Sequence, residues 1–328
     1  MKRIIPAILS VCVLLSACAP SENAIETAMA QTQAAMPTST LTLTPTPSST
    51  PSPIPSFTPT PTPTQPPIVF GSKQDGNAEI YKVNFDGTGV IRLTNSPAYD
   101  EEPAWSPDYK YITFNSDKTG NKEIFIMNSD GSNIRNLTNN PDYDGGSAWS
   151  PDGKFIAFHS FRSGNWEIYI MTVDGALVTN LTNSKQTDTY PTWSPDGKYI
   201  AFHTQRDGNW EIYVVNSDGT NQHRLTNNPS EDWLPAWSPE GKQIAFWSKR
   251  DGNWELYIMN PDGSNETRLT TSQYHLKFVS RPAWSPDGQW IAYISDKDGN
   301  AEIYIMKPDG SEQTRVTNSS AEDFDPDW

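Results

Sequence analysis

The sequence predicts an all-β protein: a six-bladed β-propeller with four-stranded antiparallel blades, closed by a C-terminal strand that completes the first blade. Three observations carry that reading. Tryptophan recurs at Trp105, Trp149, Trp193, Trp237, Trp284 and Trp328, at intervals of 44, 44, 44, 47 and 44 residues, and a period in the forties marks an array of one supersecondary unit. Inside each unit, apolar and often alternating runs of about four to seven residues lie between turn sequences, with no stretch of helical period. The two ends of the array are also complementary, each holding what the other lacks.

The unit from Tyr190 shows the order of elements. Tyr-Pro-Thr-Trp-Ser is the first strand, and Pro195-Asp196-Gly197 follows as a tight turn, Pro presetting φ and Gly closing the turn. Tyr199 to His203 makes the second strand, Gln205 to Asn209 a loop, and Trp210 to Val215 the third strand. Asn216-Ser217-Asp218-Gly219 turns again, Asp-Gly tolerating positive φ, and Arg224-Leu225-Thr226 supplies the fourth strand. A sheet this small leaves two apolar faces uncovered, so neighbours must pack on both sides, and radial packing does this without long open edges.

The array begins at Ile68 with a second strand that no Trp-Ser-Pro-Asp-Gly precedes, and stops at Asp325-Pro326-Asp327-Trp328, a first strand. Five complete units and one split between the ends give six blades. A solenoid would need polar caps, and neither end resembles one. The 47-residue interval places three extra residues around Tyr274 to Val279, in a longer interblade loop.

Over residues 68–328, the Trp-Ser-Pro-Asp-Gly-Lys, Ile-Ala-Phe, Asp-Gly-Asn-Trp-Glu-Ile-Tyr and Arg-Leu-Thr elements resemble the propeller repeats of TolB, also called WD40-like or PD40 repeats. The resemblance implies the propeller architecture and a broad habit of protein binding. The small α/β domain that precedes the propeller in TolB proteins has no counterpart in the sequence, so a role in the Tol system is not carried over.

Residues 1–17 read as a lipoprotein signal peptide. Lys2 and Arg3 precede an apolar stretch from Ile4 to Leu15, too short for a membrane span, and Leu15-Ser16-Ala17-Cys18 resembles a bacterial lipobox in which the Cys18 thiol receives the lipid. Cys12 would leave with the signal peptide, so no thiol remains for a disulfide, metal or redox chemistry. Residues 18–67 form the spacer. A short helix is compatible with the capping-box spacing at Asn23 to Glu26, and from Pro37 to Pro67 the chain is almost entirely Thr, Pro and Ser, the composition of a disordered tether with polyproline character. Its reach is up to ~100 Å at ~3.1 Å per residue.

The chain has 39 acidic and 24 basic residues, a formal charge of −15. That balance argues against nucleic acid and anionic lipid as partners of the folded part. No Gly-x-Ser-x-Gly, His-Glu-x-x-His, Walker loop or cysteine metal set is present.

The turns joining first to second and third to fourth strands emerge on one face and hardly vary. Binding specificity is expected on the other face, where the units differ. At the end of the second strand stand Gly71, Asn115, His159, His203, Trp247 and Ile294; before the Pro-x-Trp element stand Glu102, Gly146, Tyr190, Leu234, Arg281 and Asp325. Trp166, Trp210 and Trp254 follow Gly-Asn in three consecutive units. They either anchor a peptide or sugar or fill the gaps between blades. His159 and His203 are either a metal or proton-transfer pair lacking a third ligand, or packed residues. Asp100, Asp144, Asp188, Asp232 and Asp323, and the Glu opening every third strand, recur too regularly for one site and are expected to hold backbone N–H groups within the blades.

The function expected is that of a non-catalytic, monomeric, lipid-anchored extracytoplasmic propeller that binds a protein or peptide at the cell envelope, without cofactor or metal. Its candidate binding residues are Trp166, Trp210, Trp254, His159, His203, Trp247, Glu102, Tyr190, Arg281 and Asp325. The alternatives are a carbohydrate-binding or lyase-like surface propeller and a passive envelope module.

Overall fold

A computed structural model describes residues 65–271 and 278–328. The signal peptide, Cys18 and the tether up to residue 64 lie outside the described residues, as does Tyr274. Blade 1 contains β1 (Ile68–Ser72), β2 (Glu79–Val83) and β3 (Ile91–Arg92); blade 2, β4 (Asp100–Trp105), β5 (Tyr111–Ser116), β6 (Glu123–Asn128) and β7 (Arg135–Asn136). Blade 3 contains β8 (Asp144–Trp149), β9 (Phe155–Ser160), β10 (Glu167–Thr172) and β11 (Val178–Asn180); blade 4, β12 (Asp188–Trp193), β13 (Tyr199–Thr204), β14 (Glu211–Asn216) and β15 (His223–Arg224). Blade 5 contains β16 (Asp232–Trp237), β17 (Ile244–Ser248), β18 (Glu255–Met259) and β19 (Thr267–Arg268); blade 6, β20 (Ala283–Trp284), β21 (Ile291–Ser295), β22 (Glu302–Met306) and β23 (Thr314–Arg315). Finally β24 (Asp323–Asp327) pairs antiparallel with β1, giving six four-stranded sheets and closing the ring as expected.

The apolar core lies between blades. One layer joins Val69, Ile80 and Leu93 of blade 1 to Trp105, Ile112 and Phe114 of blade 2. The largest joins blades 5, 6 and 1 and includes Phe324 and Trp328. Closure is therefore an apolar seal as well as a hydrogen-bonded one. Gly71 is needed there: a Cβ at that position would stand 2.6 Å from the Phe324 ring.

The outer strand of each blade is shorter than its sequence run, two or three residues. The Thr that follows it turns its hydroxyl inward instead. Thr94 Oγ1 accepts from Ile80 N at 2.9 Å and donates to Glu79 Oε2 at 2.6 Å, and the same pair recurs at Thr182–Glu167, Thr226–Glu211 and Thr317–Glu302. The Asn of each Gly-Asn loop donates to carbonyls of the chain leaving the blade, as Asn209 does to Asn228 O and Ser230 O at 2.7 and 3.0 Å. These side chains fix how each blade hands over to the next. Between β19 and β20, where the extra residues fall, Phe278 and Val279 pack against the core.

Trp328 is 6% exposed. Trp328→Ala is expected to lower the unfolding free energy by about 3–5 kcal/mol in urea denaturation, while Leu177→Ala, at a surface position, changes it by under about 0.5 kcal/mol.

Candidate binding face and axial cavity

The first strand of each blade lies next to the axis, and in five of the six it carries a bulge. Register slips by one residue between Glu101 and Ala104, Gly145 and Ala148, Thr189 and Thr192, and Trp233 and Ala236, with a matching irregularity where β24 meets β1. Glu102, Gly146, Tyr190, Leu234 and Asp325 sit there at φ of 52°, 61°, 53°, 56° and 51°. A left-handed φ strains a non-glycine residue, and the Pro that follows four of them suits a bulge because it has no N–H to leave unpaired.

The bulge turns its own N–H toward the preceding blade, which supplies an acceptor. Glu102 Oε2 accepts from Gly146 N at 2.8 Å, His159 Nδ1 from Tyr190 N at 3.3 Å, and His203 Nδ1 from Leu234 N at 3.1 Å. The Asp325 carboxylate in turn accepts from the Glu102 backbone. With Nδ1 accepting, the His203 proton sits on Nε2 and is donated to Thr189 Oγ1 at 2.8 Å. Both histidines are buried and neutral. Burial pushes the His159 pKa down to about 3 and that of His203 well below its ordinary value.

Four sequence candidates from four different blades meet at the axis. The Tyr190 hydroxyl donates to Glu102 Oε1 at 2.8 Å, and Arg281 reaches Gly146 O and Ser147 O at 3.3 and 3.4 Å. With Asp325 and Asp327 they line a cavity of about 20 Å³, room for about one water. Burial raises the carboxyl pKa of Asp325 well above the usual range, with the neighbouring Glu102 and Glu101 adding to it. The axis is thus bridged from side to side rather than open.

Around this plug, on the face of the interblade connections, runs an aromatic arc. Trp166 packs on His159 at 5.0 Å, Tyr190 on His159 at 4.8 Å and on His203 at 5.4 Å, and Trp210 on His203 at 4.8 Å. Trp233 stacks on His203 at 5.8 Å and meets Trp210 and Trp254 at 5.7 and 4.8 Å. Trp254 is buried; Trp166 and Trp210 are half-buried. Trp247 is fully enclosed and donates to Ser280 O at 2.8 Å, so it offers a partner no surface. The arc reaches solvent at blade 3, where Tyr143 and Phe161, half and over a third exposed, lie 6.3 and 5.4 Å from Trp166.

The sequence matches the family described as TolB beta propeller domain, PD40, over residues 50–160, 136–233 and 226–328. The chain belongs to the TolB β-propeller family. Among solved structures, TolB from Acinetobacter baumannii is 26% identical, with a TM-score of 0.73 over 80% of this chain and 66% of that one. This chain thus spans just under two thirds of that TolB's length. A TolB candidate from Agrobacterium tumefaciens (23% identity, 76% and 88% of the two chains, TM-score 0.63) and an oligogalacturonate lyase in complex with manganese (16%, 76% and 73%, TM-score 0.54) share the fold. No curated protein matches the sequence.

As to metal binding by this TolB-family propeller, no group of three or more His, Cys, Asp or Glu suited to an ion occurs among the described residues. Nor do the described residues include a helix long and apolar enough to cross a membrane. The recurrent carboxylates have internal partners, though not all those expected. Each recurrent Asp donates its backbone N–H to the preceding blade, as Asp188 does to Trp166 O at 2.9 Å. In three blades its carboxylate takes an arginine: Asp144 with Arg162, Asp188 with Arg206, and Asp232 with Arg250, all within 3.1 Å. Each guanidinium also lies over a Phe and a Tyr ring at 4.6–5.6 Å. Sequence reading missed these arginines and Trp233. The available signal was that Arg162, Arg206 and Arg250 occur in the same three units as the Gly-Asn-Trp motif.

The buried histidines set a pH dependence. Unfolded His203 takes a proton near pH 6.5 and folded His203 does not, so its contribution to stability is present above that pH and is lost as pH falls, by about 1.4 kcal/mol per unit. Asp232, raised to about 6 mainly by burial, acts in the opposite sense, its ionisation weakening the fold as pH rises from about 4 to 6. His203→Gln should therefore lie furthest below wild type at pH 7.5 and close the gap by about 2 kcal/mol at pH 5. A gap in urea stability that is constant with pH would show that His203 titrates normally.

Proposed function

We propose that this chain is a non-catalytic binding scaffold that is exported, anchored to the membrane through Cys18, and docks a protein or peptide at the cell envelope. The observation that carries the reading is the aromatic arc and its solvent-reaching end at Tyr143, Phe161 and Trp166. Rings held by neighbours lose little freedom on contact and offer large apolar area, the property that concentrates binding energy in aromatic anchors.

The axial plug supports a face-on mode of binding. With Tyr190, Glu102 and Arg281 already engaged with one another and with backbone, a partner meets the rim before the axis. The chain is strongly acidic, so the favoured partner surface carries an apolar anchor with basic residues around it. The lipobox at Leu15 to Cys18 and the Thr/Pro tether support the location.

Tyr143→Ala together with Phe161→Ala is expected to reduce recovery of partners crosslinked in intact cells by at least tenfold while leaving the melting temperature within a few degrees. Equal recovery by wild type and variant would remove this face from consideration. Saccharide binding by calorimetry that is lost with the same substitutions would move the site to the carbohydrate reading.

A further inference from the structure

The outer strand of each blade is the last in its sheet and has one side unpaired. Such an edge is a template for a further strand, and proteins blunt it with charge, with proline or by keeping it short. Five of the six edges here are blunted. β3, β7, β15, β19 and β23 are two residues long and hold Arg92, Arg135, Arg224, Arg268 and Arg315. β11 of blade 3 is Val178-Thr179-Asn180, one residue longer and without an arginine. From Gly175 to Ser184 the chain carries no charged residue, whereas in every other blade the stretch from the same Asp-Gly turn to the end of the outer strand includes one.

The side chains of this edge are apolar and in solvent. The position of Val178 is held by exposed Val90 and Ile134 in blades 1 and 2 and by Gln222, Glu266 and Gln313 in the others. In blade 3 alone Leu177 precedes it, 68% exposed, the most exposed large apolar side chain among the described residues. The backbone is oriented for pairing. Thr172 N donates to Leu177 O at 3.1 Å and Leu181 N to Ile168 O at 2.7 Å, and Thr179 stands opposite Ile170. Residues 177, 179 and 181 therefore direct their main-chain groups at β10, and Val178 and Asn180 direct theirs outward.

We propose that β11 pairs antiparallel with β11 of a second copy of this chain, about a two-fold axis at Val178. The two Val178 residues then exchange a pair of N–H···O bonds, Leu177 of each copy lies beside Thr179 of the other, and Ala176 faces Asn180. The strand is its own complement, so the contact needs no second surface and closes at two. Charge permits it at this edge. Each chain carries a formal −15, but the paired stretch brings no charged residue to the axis, and the two Asp174 side chains fall at opposite ends of the antiparallel pair. A three-residue strand buries far less than the ~1,600 Å² of a standard interface, so the dimer is weak and fills only at high local concentration.

The test places the photoreactive p-benzoylphenylalanine in place of Thr179 in the full chain, irradiated in intact cells, with the probe in place of Thr314 as control. Thr314 is the exposed equivalent in blade 6. The expected product has twice the mass of the chain, links position 179 to the peptide holding Leu177, and forms at least fivefold more from position 179 than from position 314. Val178→Pro removes an N–H that β10 does not use and is expected to reduce the product at least fivefold, with the melting temperature within a few degrees of wild type. Leu177→Glu, which alters only an exposed side chain, is expected to do the same. Equal yields from the two positions, or yields unchanged by Leu177→Glu, would overturn the proposal. Adducts from position 179 to a different protein in place of a second copy would overturn it in favour of a foreign strand.

Discussion

A single backbone N–H, turned out of its own sheet by the bulge on the inner strand of four consecutive blades, organises the centre of this protein. A buried donor without an acceptor costs about as much as the hydrogen bond it lacks, so the preceding blade must supply one. Asp325, Glu102, His159 and His203 each do so for the blade that follows. This common task accepts any side chain with a lone pair at the right height, so the supplying residues vary in kind while the geometry is kept. It also fixes both histidine rings: Nδ1 of each is held by backbone, and burial keeps both uncharged.

The fold was legible because its signals are local and repeated. Pro-Asp-Gly and Asp-Gly mark turns wherever they stand, and the missing first strand before Ile68 asks for the segment ending at Trp328. The site was legible only in part. The variable positions before Pro-x-Trp do converge, and Glu102, Tyr190, Arg281 and Asp325 line one cavity. Their pairing could not be read, because Tyr190 meets Glu102 from two blades away and Arg281 reaches a carbonyl 135 residues distant. Such contacts exist only once the ring has shut. Trp247 shows the opposite failure: it occupies a variable position yet is wholly enclosed, because variation there tracks which acceptor or filler each interblade gap requires.

The two faces are built on different principles. The connection face is irregular, with aromatic rings from three blades packed on two neutral histidines. The turn face repeats itself through Ser–Asp hydrogen bonds such as Ser194 Oγ to Asp196 Oδ1 at 2.7 Å, and departs from that pattern at the blade where the chain enters. The entry of the chain at Pro67 and the aromatic arc thus occupy opposite ends of the strands.

The position of β1 has a mechanical side. It is paired with β24 on one side and β2 on the other, and it runs directly on from Pro67. A pull arriving through that proline acts along the strand, perpendicular to both hydrogen-bond ladders, so it loads their bonds together instead of peeling them one by one. The seam at which the wheel is joined would therefore meet such a pull in shear.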